Sequence, residues 1–369
     1  MSASTPPPGR GRVRDHGIVI GALPTGSLNA LTDVPGVRVG HETVWRGEPG
    51  TDEPVARTGV TAIWPHAGDP FRERVYAGSS ALNGYGVSTG ELVIAEWGLL
   101  ASPILLSDTR HIGIAYEAGV TYATERDPDV GILDVAIPVV LECDAGFLSD
   151  NRHQTLTAED VHRALRNAGT GPVGEGCVGA GTGTQQFDFK GGIGTSSRLV
   201  EIGGTTYTVG VLLQTNYGSR RQLSILGRPV GRQITDLMPS HHQEGSCVGI
   251  VATDLPLNPL QLQRLTRRVG VGLARTGSVG NDGSGEVFVA FSTANRVPRA
   301  SVTQTLEVRT MIEGQFWTQG SPFDLIFEAV ADATEEAALN ALFQADTTTG
   351  RDGNVLHGAP IQRILDLLH

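Results

Sequence analysis

The sequence predicts a layered α/β fold, with sheets packed together and helices outside, and three observations predict it. From Gly17 onward, short apolar runs alternate with Gly, Pro, Asp and Asn turns, as strands do. Several runs, VGIVATDL (248–255) and GEVFVAF (285–291) among them, are apolar on both faces, so each needs a covering layer on either side. Helices are fewer and are marked by their end signals.

Taken in order, residues 1–16 are rich in Pro, Ser, Gly and Arg and read as a disordered arm, leaving 17–369 as one domain. The segments GIVIGAL (17–23), VPGVRVGHETVW (34–45), TGVTAIWPH (58–66), GELVIAEWG (90–98) and DVGILDVAIPVVLE (129–142) read as strands, by β-branched enrichment and turn punctuation. A helix spans 157–168, where Thr157 and Asp160 form a capping signal ahead of apolar residues at helical spacing. Asn258 and Pro259 supply an N-cap and a first-turn proline, opening a helix that runs through Arg275. Residues 332–345 and 359–368 give two more helices.

Composition excludes several classes. With 28 basic and 39 acidic side chains the net charge is −11, so nothing neutralises a row of phosphates and nucleic acid is not an expected partner. No run approaches the 18 apolar residues of a membrane span. The three cysteines (Cys143, Cys177, Cys247) are too few for a disulfide framework and suit a reducing compartment. The N-terminus has no apolar signal core, so a cytoplasmic location is expected. Lys190 is the sole lysine, and Schiff-base or P-loop chemistry would have to use it.

Glycine, at 49 residues, is about twice its average usage. The stretch 174–194 (GEGCVGAGTGTQQFDFKGGIG) contains a formal G-x-G-x-x-G at Gly174, Gly176 and Gly179, but a helix precedes it and none follows, so it is no dinucleotide site. Glycines there let backbone approach backbone, or backbone approach a substrate. No H-E-x-x-H pattern occurs. Two adjacent histidines sit poorly on one metal, so His241 and His242 read as a solvent-facing loop pair.

The informative segment is 239–259, where a polar, turn-rich stretch ends at Glu244-Gly245 and an apolar strand begins at Ser246. Were the Gly245–Ser246 bond cut, Ser246 would carry a hydroxyl nucleophile and a free α-amine. Such an amine, with an ordinary pKa of about 7.7–8.0, accepts a proton near neutrality without a histidine. Spacing alone does not distinguish this from an ordinary strand start.

Five motifs in order bear on the choice: LNALTDVPGVRVGHETV, GTGTQQFDFKGGIGTSSR, LLQTNYGSR, EGSCVGIVATDLPLNPLQLQRLTRR and NDGSGEVFVAFSTAN. Together they resemble the family of L-aminopeptidase/D-Ala-esterase-amidase enzymes (DmpA) and β-peptidyl aminopeptidases, from about Gly17 to the C-terminus. The resemblance implies a four-layer αββα sandwich of the kind shared with ornithine acetyltransferases. It also implies self-cleavage between Gly245 and Ser246 into subunits 1–245 and 246–369. It makes Ser246 the nucleophile, Ser284 and Glu286 the pair that orients the new N-terminus, Asn216 the oxyanion donor and Glu142 the carboxylate that holds the substrate's ammonium. The implied activity is release of N-terminal residues from peptides, amides or esters, with no metal or organic cofactor, by a homo-oligomer of αβ units. An acyltransferase of the ornithine-acetyltransferase type and an unprocessed binding protein are the alternatives. One departure stands out: where the family has E-T-Y-D-G, this chain has Glu142-Cys143-Asp144-Ala145-Gly146. Asp144 takes the tyrosine position, so either another donor serves the oxyanion or Asp144 adds a second substrate anchor. Cys247, next to Ser246 on a strand, is expected to point away from the site.

Overall fold

A computed structural model describes residues 9–241, 245–315 and 320–368. Two sheets form its centre. The first has four strands: β1 (Arg38–Arg46), β2 (Ala56–Trp64), β5 (Ile104–Ser107) and β6 (Val139–Glu142), in the order β1-β2-β5-β6. The second has six: β3 (Glu73–Gly84), β4 (Leu99–Leu100), β7 (Ile193–Ile202), β8 (Thr205–Asn216), β9 (Ser246–Thr253) and β10 (Gly285–Pro298), in the order β4-β3-β10-β9-β8-β7. Of the neighbouring pairs in this second sheet, β9 and β10 are parallel, and α4 (Pro259–Arg275) is the helical crossover between them.

The layers follow from strand alternation. Along β9, Val248, Ile250 and Ala252 join Ile63, Leu106, Val139 and Leu141 of the first sheet in one buried cluster, so this face looks between the sheets. Cys247 and Val251 point the other way, into a cluster with Leu262, Leu265 and Val269 of α4 and Val330, Ala337 and Leu342 of α5 (Pro322–Gln344). A third cluster packs Val60, Ala62 and Val140 against Ala115 and Ala118 of α2 (Ile112–Arg126) and Val161 and Leu165 of α3 (Ala158–Arg166). Three cores separate four layers, which is the αββα sandwich. Cys247 faces the helices, as its strand position requires.

The capped helices begin where their signals stand. The Thr157 hydroxyl accepts from the Asp160 N–H, and the Asn258 side chain accepts from the Gln261 N–H with Pro259 in the first turn. The last helix is α6 (Ile361–Leu368). Other readings need correction. Segment 90–98 is a helix, α1 (Glu91–Trp97), closed at both ends by left-handed glycines, Gly90 and Gly98. Segment 17–23 forms no strand, and within 129–142 only the last four residues do. Helix α2 had no clear signal, because Gly113, Gly119 and its β-branched residues are poor helix formers; packing of Ile112, Ala115 and Ala118 outweighs that preference. Helix α5 starts at Pro322, ten residues earlier than expected, with Ser321 as cap.

The arm also departs from expectation. Residues 1–8 lie outside the described residues, but 10–16 are packed rather than disordered. Val13 is buried and its N–H donates to Asn340 at 3.0 Å; Arg10, Arg12 and Arg14 pair with Asp346, Glu175 and Glu336. Composition suggested disorder, but the burial of Val13 and partly buried ion pairs hold this short segment.

The glycine-rich stretch lets backbone meet backbone. A Cβ on Gly192 would stand 2.2 Å from the Gly176 carbonyl oxygen, and one on Gly194 would stand 1.9 Å from that of Ala337. Lys190, wholly buried, donates to the carbonyls of Gly181, Thr184 and Gly191 at 2.7–2.9 Å, so it braces this stretch.

Candidate active site

Register brings the central residues together. Strand β9 starts at Ser246, opposite Asn216 at the end of β8 and beside Gly285 at the start of β10. Three neighbouring strands therefore place Asn216, Ser246 and Gly285 at one level. The Asn216 amide nitrogen lies 3.3 Å from the Ser246 hydroxyl. Its orientation is fixed from behind, because the Asn216 side-chain oxygen accepts the Gln185 N–H at 2.9 Å, which leaves the NH₂ group facing Ser246. Both side chains are nearly inaccessible to solvent.

The bond before Ser246 is also held. The Gly245 carbonyl accepts the Gly285 N–H at 3.2 Å, and a Cβ on Gly245 would stand 2.8 Å from the Asn216 carbonyl oxygen and 3.1 Å from the Ser284 hydroxyl. Only glycine fits that gap without displacing its neighbours. Ser284 donates to the Glu286 carboxylate, and both are buried at the same end of the sheet. Burial raises the Glu286 pKa, opposed by hydrogen bonds from Ser284 and Asn83.

Glu142 reaches the same place from the other sheet. It is the last residue of β6, where the strand ends and its carboxylate lines the same cavity as Ser246. The Val87 N–H donates to one carboxylate oxygen at 2.9 Å and the Thr109 hydroxyl to the other. Burial pushes this carboxyl above the ordinary range; the two hydrogen bonds oppose that, while the charges of Asp144 and Asp108 add to it. Asp144 is raised too, chiefly by burial, though it accepts the Gly146 N–H at 3.1 Å and the Asn151 amide at 2.8 Å.

These groups line one open cavity of about 600 Å3, with Ser246 and Gly245 on one wall, Glu142 and Asp144 on another, and the Gly84–Val87 loop at the rim. A buried hydroxyl beside an amide donor, with carboxylates able to fix an ammonium nearby, is suited to acyl transfer from a substrate with a free amino group. Ser284 borders Gly245, next to the end of Ser246 that a cut would free, and is itself bonded to Glu286.

Sequence reasoning missed the supporting groups: Thr109 and the Val87 N–H on Glu142, the Gln185 N–H behind Asn216, and the Gly285 N–H on Gly245. The last lies inside the NDGSGEVF motif, but backbone donors carry no side-chain signature. No group of three or more His, Cys, Asp or Glu among the described residues could hold a metal ion; His241 is exposed, and His242 lies outside the described residues. No helix among them is long and apolar enough to cross a membrane.

Known proteins are similar to this chain over nearly its whole length. The pattern of peptidase family S58 matches residues 29–356. The β-peptidyl aminopeptidase BapA of Sphingosinicella microcystinivorans is 39% identical over 368 residues, covering 95% of this chain and 89% of that protein. Among solved structures, a Burkholderia sp. β-aminopeptidase is 41% identical with a TM-score of 0.88, covering 97% of this chain and 98% of its own. The L-aminopeptidase D-Ala-esterase/amidase of Ochrobactrum anthropi, described as a prototype serine aminopeptidase with a variant of the Ntn hydrolase fold, is 38% identical with a TM-score of 0.90 and the same coverage.

Proposed function

The chain belongs to peptidase family S58 and is a serine aminopeptidase of the Ntn hydrolase fold, and from that premise we propose that Ser246 is its nucleophile, freed by self-cleavage after Gly245. In the precursor, the Ser246 hydroxyl attacks the Gly245 carbonyl carbon, whose oxygen is held by the Gly285 N–H. The peptide bond shifts to an ester, and water releases subunits 1–245 and 246–369. Ser246 then carries a free α-amine, which takes the hydroxyl proton as the serine attacks a substrate carbonyl. Ser284 and Glu286 orient that amine, and the buried carboxylate favours its protonated form during attack.

Substrate binding follows from charge. Glu142 receives the ammonium of the first residue, which places the next carbonyl at Ser246 and its developing oxyanion at the Asn216 amide. The acyl-enzyme is hydrolysed by water, releasing the N-terminal residue of a peptide, amide or ester. The acyltransferase and binding-protein alternatives are not favoured, since the matched relatives are aminopeptidases over nearly their whole length. We place the enzyme in the cytoplasm, in keeping with its three free cysteines, and as a homo-oligomer of αβ units.

The observation that supports this reading best is the 3.3 Å approach of the Asn216 amide to Ser246 in the cavity that also holds Glu142. The test is intact mass with N-terminal sequencing of purified protein, alongside Ser246→Ala. The wild type should give two chains, the shorter beginning Ser-Cys-Val-Gly-Ile. The variant should stay whole and inactive. A cleaved, active Ser246→Ala protein would overturn the proposal.

A further inference from the structure

We propose that Asp144 is a specificity residue that directs this enzyme to N-terminal residues bearing a second ammonium, such as lysine or ornithine; the inference rests on the aminopeptidase reading above. The cavity around Ser246 presents two carboxylates, Glu142 and Asp144, and its wall includes no Lys, Arg or His among the described residues. A substrate with only its α-ammonium neutralises one of them. The other then stays in a confined, half-desolvated cavity with an uncompensated charge, which is unfavourable.

Nearby groups do not fill that role. Arg351 acts on Asp144 electrostatically, but its guanidinium donates to the Gly146 carbonyl at 2.7 Å and to Asp352 at 3.0 Å. Asp108, the third carboxylate in the neighbourhood, is already engaged: His111 donates to it at 2.7 Å and so does the Thr58 hydroxyl. His111 is held with its other ring nitrogen accepting the Thr155 and Leu156 N–H groups, so its proton points at Asp108. Asp144 makes two hydrogen bonds, one per oxygen, and a carboxylate accepts about four, so room remains for a cation on the cavity side.

The cavity can take a dication. Glu142 and Asp144 both line it beside Ser246, two residues apart in the chain. Lysine and ornithine carry a second ammonium at the end of a flexible side chain, so one substrate residue can meet both carboxylates. With the α-ammonium on Glu142 the side chain lies along the wall toward Asp144. The protein's charge of −11 adds a long-range pull on such substrates.

The test compares kcat/KM for lysyl and norleucyl p-nitroanilide with the processed wild-type enzyme and with Asp144→Asn. Norleucine copies the lysine chain without its charge. The wild type should prefer the lysyl substrate at least tenfold, and Asp144→Asn should cut that preference by about 10- to 100-fold, the effect of one charge-assisted contact. The preference should also shrink as pH falls and Asp144 protonates. Should the variant fail to fold, inhibition of the wild type by lysinamide against norleucinamide reads the same selectivity. Equal use of the two anilides, or a lysyl preference untouched in a folded Asp144→Asn, overturns the inference and leaves the aminopeptidase standing. Cleavage of neither anilide overturns this inference, and the aminopeptidase reading falls with it only if β-aminoacyl p-nitroanilides are left uncut as well.

Discussion

Replacing Glu336 with Gln tests how the N-terminal segment and the two halves of the chain are held together. Glu336 lies on α5 with a fully buried side chain; Arg14 grips it in a fork at 2.7 and 2.9 Å, Arg198 pairs with it at 2.7 Å, and Asn29 donates to it. Burial alone would push its carboxyl up, but the Arg14 hydrogen bonds, the Arg198 charge and Asn29 outweigh that and hold it below its ordinary value. Glutamine keeps the shape and the acceptor for Asn29 but removes the charge. Arg14 is 30% exposed and can turn to water, so its share is small, below about 1 kcal/mol. Arg198 is 0% exposed and cannot, although the Ile20 and Ser197 carbonyls still accept from it. Stranding one member of a buried pair costs about 3–5 kcal/mol, and the remaining acceptors put this case near the lower end, at about 3 kcal/mol. The assay is urea unfolding of wild type and Glu336→Gln followed by circular dichroism. Because the folded-state pKa is depressed, the gap between the proteins should be complete above about pH 4.3 and close as pH falls through the folded value. A loss below 1 kcal/mol at pH 7, or a gap that widens in acid, would refute the reasoning.

Two further outcomes follow from the site. Thr109→Val removes a donor to the ionised form of Glu142, so that carboxyl should rise further; kcat/KM should drop about tenfold at neutral pH and its acidic limb should move to higher pH, while a pH profile parallel to wild type would count against Glu142 as the ammonium anchor. Gly245→Ala puts a methyl 2.8 Å from the Asn216 carbonyl oxygen, so self-cleavage timed by gel electrophoresis should slow at least tenfold; cleavage at the wild-type rate would mean the bond is not cut from this conformation.

How legible each feature was depends on whether its cause is local. Thr157 and Asn258-Pro259 announced their helices because a cap is made within three residues. Helix α1 read as a strand because a seven-residue apolar run between glycines fits either period, and only its packing decides. The arm was misread because Arg12 and Arg14 find Glu175 and Glu336, more than 150 residues away, and composition does not show such partners.

The sequence by itself determined the layered α/β class, the family and the candidate residues for the chemistry, because these rest on residue type, order and short spacing. Tertiary structure alone decided that Asn216 and Ser246 face each other, that Glu142 arrives from the opposite sheet, and that Asp144 shares its cavity. The reason is strand register: a shift of one residue would turn Ser246 toward the helices and leave Cys247 in its place. That register is set by the cores packed on both sides of β9, far along the chain from the serine they position.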